Sequence, residues 1–277
     1  MTDRHDIEEP LAQLAAGMHR VTTGNYDTQL EEWPDEPFRS IFEDFNSMTK
    51  SLLGNEALRE SFVSNVAHEF KTPLSYVQGY AALLQDDDLT PEQRREYVGH
   101  VTKAARRLGD MIGNLLEISN LSRPNAQMET APFSLDELLR HVMAVLLPQM
   151  IRKEIAYEVD LMSVDLDGNQ SLLEDAWMNL ISNAVKFTEP GGRISVTLVR
   201  EGSHAVVAVA DTGCGMTPEQ LEHAFDRFYQ GDETHAGEGN GLGLAIVRAV
   251  VKKHGGTVSV ESEPGRGTTF SVRLPLE

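Results

Sequence analysis

The sequence predicts a multidomain protein, an all-α first half followed by an α+β sandwich, and three observations predict it. Apolar residues recur at Val63, Val66, Phe70, Pro73, Val77, Tyr80 and Leu84 in alternating steps of three and four, and a second seam runs through Tyr97, Val101, Ala104, Leu108, Met111, Leu115 and Ile118. From about residue 132 the pattern turns to helices mixed with strands. Those strands neighbour one another in sequence across short turns, which favours antiparallel pairing with the helices on one face. Between the halves, Ser122 to Ala131, with Pro124, Asn125 and the following Pro132, reads as a linker.

A chain of 277 residues has room for about two domains of ordinary size. Its formal net charge of -19 argues against nucleic acid or an anionic membrane surface as the main partner, since like charge repels both. The lone Cys214 excludes an internal disulfide and fits a reducing interior. No run of eighteen apolar residues occurs and no signal peptide is visible, so no part of the chain is expected to span a bilayer.

Taken in order, residues 1–9 are a disordered or juxtamembrane start. Residues 10–54 hold two short amphipathic helices, one carrying Leu11, Leu14, Ala15 and Met18, the other Phe38, Ile41, Phe42, Phe45, Met48 and Leu52. The connector between them opens at Gly24-Asn25 and contains Pro34 and Pro37, so it is not helix throughout. A helix is predicted from near Asn55 to Gln85, a loop at Asp86–Asp88, and a second long helix with Pro91 in its first position, making 55–121 a helical hairpin. Its apolar stripe is too wide for a hairpin alone. Pairing two copies into a four-helix bundle buries it, so a homodimer is expected. In 132–277 the expected helices are Ser134–Met150, Gln170–Phe187 and Gly241–His254. The expected strands are Glu154–Leu161, Arg193–Arg200, Ala205–Ala210, Thr257–Glu261 and Thr268–Leu274.

The stretch Phe62–Leu74, FVSNVAHEFKTPL, concentrates chemistry around His68, which falls at the outermost position of the heptad. A neutral imidazole there can present a ring nitrogen as a nucleophile, and Glu69 can take its other proton and stabilise the cationic product. Thr72, one turn on, shares the face of His68 and can set a hydroxyl or its bound water beside the same reacting atom. Pro73 removes the amide that would bond the Glu69 carbonyl, so a bend is expected just past His68. A lone histidine would read as a solvated residue. Its neighbours reverse that preference.

Four motifs follow in order. On the predicted helix of NLISNAVKFT, Asn179, Asn183 and Lys186 share one face, with amide oxygens suited to Mg²⁺ and a lysine suited to phosphate. On these residues alone a solvated face fits equally well. In DTGCGM, Asp211 ends a strand and can accept from the exocyclic amine of adenine, while Gly213 and Gly215 let backbone approach the ring; alone it is a turn. In GNGLGL, Gly239, Gly241, Gly243 and Leu244 open a helix whose amides and dipole favour an anion. Between these two motifs, FDRFYQGDETHAGEGN reads as a lid from which Arg227 can reach phosphates or simply face solvent. In GRGTTF, Gly265, Gly267 and Thr268 begin the last strand as a closing wall, or as an ordinary hairpin turn.

With these motifs in this order, the second half resembles the Bergerat-type ATP-binding domain shared by histidine kinases, gyrases, mismatch-repair ATPases and a chaperone family. Together with FVSNVAHEFKTPL, nearly the whole chain resembles a bacterial two-component sensor histidine kinase. The order Pro10, Gly24-Asn25-Tyr26 and Phe45-Asn46-Ser47-Met48 resembles a HAMP relay. The resemblance implies that ATP gives its γ-phosphoryl group to His68 with Glu69 as base, and that the group then passes to an Asp of a response regulator. It implies Mg²⁺ on Asn183 helped by Asn179, phosphate on Lys186, and adenine against Asp211 and Phe187. Gly213, Gly215, Gly239, Gly241, Gly243 and Thr268 would line the pocket. Thr72 implies a further phosphatase activity towards the regulator. A parent anchored on the cytoplasmic side of the bacterial inner membrane, with its transmembrane sensor upstream of this chain, is expected from the HAMP resemblance. Hydrolytic members of the wider group carry Glu where this chain has Asn179, so a gyrase-like ATPase is the disfavoured alternative. Two departures stand out: Phe70-Lys71 replaces the usual Leu-Arg, and no Lys or Arg occurs between Arg227 and Arg248. The sparse lid makes a dimeric scaffold with a degenerate nucleotide site the non-enzymatic alternative.

Overall fold

Residues 5–31, 38–121, 128–231 and 241–276 are described in the computed structural model, and the chain divides into two units, Met1–His68 and Glu69–Glu277. In the first, helix α1 (His5–Thr22) begins ahead of Pro10 and runs through it, and helix α2 (Phe38–Leu83) opens its second half. Leu30, Phe42 and Phe45 form a small core against Leu14 and Val21. Gly17 allows this approach, since a Cβ there would lie 3.0 Å from the Phe45 ring. The Asn46 side chain accepts from the Leu30 N–H at 2.8 Å and donates to the Leu30 carbonyl at 2.9 Å, so an extended connector is held as a strand partner would hold it. Pro34 and Pro37 lie outside the described residues.

The expected break near Asn55 is absent. Helix α2 is continuous over 46 residues. A single Gly54 costs a helix only about 1 kcal/mol relative to alanine, too little to break one flanked by good helix formers. Pro73 also lies inside α2, and is buried.

In the second unit, the end of α2 is followed by α3 (Pro91–Leu121). Its start matches the sequence reading: the Thr90 hydroxyl accepts from the Gln93 N–H, and the Gln93 side chain accepts from the Thr90 N–H, a reciprocal cap ahead of Pro91. Ala104, Met111 and Ile118 of the predicted seam are buried, whereas Leu74, Tyr76, Leu83, Val98, Ile112 and Leu116 remain exposed on the hairpin.

After residues 122–127, which are not described, come β1 (Ala131–Ser134), α4 (Leu135–Arg152), β2 (Ala156–Leu161), β3 (Asp165–Gly168) and α5 (Gln170–Phe187). They are followed by β4 (Arg193–Glu201), β5 (His204–Asp211), α6 (Pro218–His223), α7 (Gly243–Lys253), β6 (Thr257–Glu263) and β7 (Gly267–Pro275). A five-stranded sheet has the order β2-β4-β5-β7-β6, and β1 pairs with β3 separately. All pairs are antiparallel except β2 with β4, which the short-turn argument did not anticipate because α5 carries the connection. Alternate residues Ile194, Val196, Leu198, Val207, Val209, Val272 and Leu274 are buried, as period two requires. They share one core with Trp177, Leu180 and Ile181 of α5 and Ile246 and Val250 of α7. Ile118 of α3 belongs to the same core, with Leu115 and Leu121 packed against it. No helix of the described residues is long and apolar enough to cross a membrane.

Candidate active site

Helix α5 sets the site. Asn169 caps its first turn by accepting from the Leu172 N–H at 3.0 Å. Burial of Leu173, Ala176, Trp177, Leu180, Ile181 and Ala184 commits one face to the core, so Asn179, Ser182, Asn183 and Lys186 are left for the other. At the far end, the Lys153 ammonium donates to the carbonyls of Val185, Lys186 and Thr188 at 2.8 to 3.0 Å, satisfying oxygens that a helix C-terminus leaves unpaired.

The exposed face of α5 lines a cavity of about 1500 Å³. Asn179, Asn183, Lys186 and Phe187 meet there with Gly215, Gly241, Gly243, Leu244 and Thr268, which the sequence scattered over ninety residues. The Asn179 amide donates to the Asp175 carbonyl at 2.9 Å. Its oxygen is turned towards the start of α7, where a Cβ on Gly243 would come within 2.6 Å of it. Lys186 lies 4.6 Å from the centre of the Phe187 ring.

Asp211 and Gly213 are not among the residues lining the cavity; they hold its wall. One Asp211 carboxylate oxygen accepts from the Gly213 N–H at 2.8 Å, and burial pushes the carboxyl above its ordinary range, a shift opposed by the backbone bonds from Gly213 and Thr268. The Ser262 hydroxyl bonds Thr268 Oγ1 at 2.9 Å and accepts from the Met216 N–H at 2.8 Å, tying the DTGCGM turn to the last two strands. Gly215 has φ +68°, and a side chain there would strike the Glu263 carbonyl. At the mouth of α7 the Phe228 N–H donates to the Gly241 carbonyl at 2.8 Å, both residues having positive φ. Arg227 is exposed and does not line the cavity, and Gly239 lies outside the described residues.

His68 and Thr72 are exposed on α2. Glu69 is half-buried, and Arg107 of α3 approaches its carboxylate at 3.4 Å. Sequence reasoning missed Arg107, and with it the contribution of α3 to the cavity: Lys103, Arg106 and Arg107 all line it. Among the described residues no group of three or more His, Cys, Asp or Glu side chains is arranged to hold a metal. The two amide oxygens on α5 suit an ion such as Mg²⁺, which draws most of its ligands from phosphates and water.

A helical hairpin joined to an α+β sandwich, with amides, lysine and glycine turns around one cavity, has the form of a nucleotide-binding domain carried behind a helical hairpin. Residues 168–277 match the family described as histidine kinase-, DNA gyrase B- and HSP90-like ATPase, and residues 58–124 match the His Kinase A (phospho-acceptor) domain. The heme sensor protein HssS of Staphylococcus saprophyticus is 30% identical over 98% of this chain and 58% of its own length. The sensor-like histidine kinase SenX3 of Mycobacterium bovis is 36% identical over 79% of this chain and 54% of its own. The structure of histidine kinase ThkA in complex with response regulator protein TrrA aligns with a TM-score of 0.67 at 22% identity, over 81% of this chain and 64% of that one. The chain therefore carries a histidine kinase phospho-acceptor domain followed by a histidine kinase-type ATPase domain and is similar to sensor histidine kinases, and it spans a little over half the length of the curated relatives it matches.

Proposed function

We propose that this chain is the kinase portion of a dimeric sensor histidine kinase, in which ATP phosphorylates His68 and the phosphoryl group then passes to an Asp of a response regulator. The observation that carries the reading is the convergence of Asn179, Asn183, Lys186 and the start of α7 on one cavity, in a chain whose phospho-acceptor match contains an exposed histidine. In the step itself, a ring nitrogen of His68 forms a bond to the γ-phosphorus while the bond to the β,γ-bridging oxygen breaks, and ADP leaves. The imidazole proton passes to the Glu69 carboxylate, which Arg107 approaches at 3.4 Å. Lys186 faces the polyphosphate, and Asp211 with Thr268 reads the adenine. Mg²⁺ held by Asn183 and Asn179 would supply charge neutralisation at the phosphates. Asn179 also favours kinase over ATPase, because an amide cannot serve as the base that a water nucleophile needs.

ThkA in complex with TrrA supports the response-regulator partner, and the phospho-acceptor match together with the exposed apolar residues of the hairpin supports a homodimer. Residues 10–54 form a HAMP-like relay in this reading, downstream of a membrane-bound sensor region.

Intact mass after incubation with ATP and Mg²⁺ tests the proposal. Wild type is expected to gain one acid-labile phosphoryl group per chain and His68→Gln none; nucleotide bound without any phosphoryl transfer to wild type would refute it. Sedimentation on the same samples reads the dimer, for which a monomer at micromolar concentration is the opposing result. An autophosphorylation rate unchanged in residues 55–277 alone would remove the relay.

A further inference from the structure

The sequence gives the lid no cation between Arg227 and Arg248, and Arg227 itself stands outside the cavity. A bound nucleoside triphosphate carries about four negative charges at neutral pH, and in a chain of net charge -19 they need local compensation. Of the cations that line the cavity, Lys153 is committed to three carbonyls at the end of α5, and Arg107 is drawn to Glu69. Lys186 lies on the cavity side of α5 beside the Phe187 ring, and the exposed Arg152 at the end of α4 also lines the cavity. Two more come from an unexpected source: Lys103 and Arg106, three residues apart on α3 and therefore on one side of that helix. Both are exposed, and among the described residues neither makes an ion pair, although Asp110 lies one turn beyond Arg106.

We infer that Lys103 and Arg106 are polyphosphate-binding residues, so that the second hairpin helix supplies the cations that the lid lacks. This rests on the reading of the cavity as an ATP site and adds to it a pair of specificity determinants for the phosphate chain. Arginine offers planar paired donors and lysine a compact point charge, and both suit phosphate oxygens at a solvent-open rim. Neither belongs to the DTGCGM turn or the last strand, to which adenine is assigned in this reading. Their effect is therefore graded by phosphate number, where a general distortion of the pocket would weaken every adenine ligand alike.

The test is calorimetric titration of the full chain and of its Lys103→Gln/Arg106→Gln variant with ATP, ADP and adenosine, at low and at moderate salt. Glutamine keeps helix propensity and much of the aliphatic stem, and both positions are exposed, so folding is unaffected. The variant is expected to bind ATP about tenfold or more weakly, ADP by a smaller factor and adenosine unchanged, with a shallower salt dependence for ATP. Equal ATP affinity in the two proteins would overturn the inference while leaving the ATP site standing. Equal weakening of ATP and adenosine would overturn it too, by assigning the effect to pocket shape. A wild-type chain that binds none of the three would fail the functional reading, and this inference with it.

Discussion

Replacing Glu117 with glutamine is expected to remove a pH-dependent weakness in the packing of α3. Glu117 is half-buried beside Ile118, where α3 enters the core of the second unit, and one of its carboxylate oxygens is buried with no hydrogen-bond partner. Burial, reinforced by the Asp175 carboxylate, raises its pKa from 4.5 to about 7. A folded pKa above the unfolded one means that the contribution of the protonated form is fully present below pH 4.5 and is lost as pH rises through about 7. The full shift would correspond to about 3 kcal/mol, and solvent access to a half-exposed side chain reduces this to about 1–2 kcal/mol. Urea unfolding of wild type and Glu117→Gln, followed from pH 4.5 to 8, reads the difference directly. The variant is expected to match wild type at the acid end and to exceed it by that margin above pH 7. Asp211 and His254 titrate in both proteins, so their contributions largely cancel in the comparison, whereas the repulsion between Glu117 and Asp175 is part of the difference being read. Two stability curves running parallel across the range, with a constant offset, would refute the assignment.

Asp211→Asn keeps the size of the side chain but leaves one accepting oxygen where the carboxylate bonds the Gly213 and Thr268 amides. ATP affinity is expected to fall at least tenfold while the melting temperature moves by only a few degrees, and affinity within twofold of wild type would exclude Asp211 from adenine recognition. Thr72→Ala, on an exposed face of α2, is expected to slow dephosphorylation of the phosphorylated regulator about tenfold or more without impairing autophosphorylation of His68. Regulator dephosphorylation at the wild-type rate would remove Thr72 from that reaction.

The legible parts of the fold were those written in local pattern. Helix α5 keeps its predicted limits because Asn169 caps a strongly periodic run and Thr188 ends it, and α3 starts at Pro91 because Thr90 and Gln93 complete its cap. The start expected near Asn55 fell inside a continuous helix because Gly54 alone is a weak helix breaker without a proline or a cap beside it. Strands β1 and β3 escaped notice for a different reason. Each is four residues long, and Asp165–Gly168 has turn-like composition; it is a strand because it meets Ala131–Ser134 across more than thirty residues. The site divides along the same line. Asn183, Lys186, Gly243 and Thr268 could be selected from motif chemistry, whereas Arg107, 38 residues from Glu69, and Lys103 and Arg106, on a helix remote in sequence from the motifs, could not. Periodicity tells which face of a helix is polar. It does not tell what that face will meet.

That α3 lines the cavity ties two equilibria together. If its cations make ATP bind tenfold more tightly when α3 is packed against the sandwich, reciprocity requires bound ATP to favour the packed arrangement by the same factor, about 1.4 kcal/mol. This is close to what the ionisation of Glu117 subtracts from the same packing above neutral pH. On that condition the nucleotide and that carboxylate act on one contact with opposite sign. Packing poised in this way can be shifted by small differential forces, such as a change in the hairpin to which α3 belongs, because moving it needs only a kcal/mol or two and no disruption of the sandwich core.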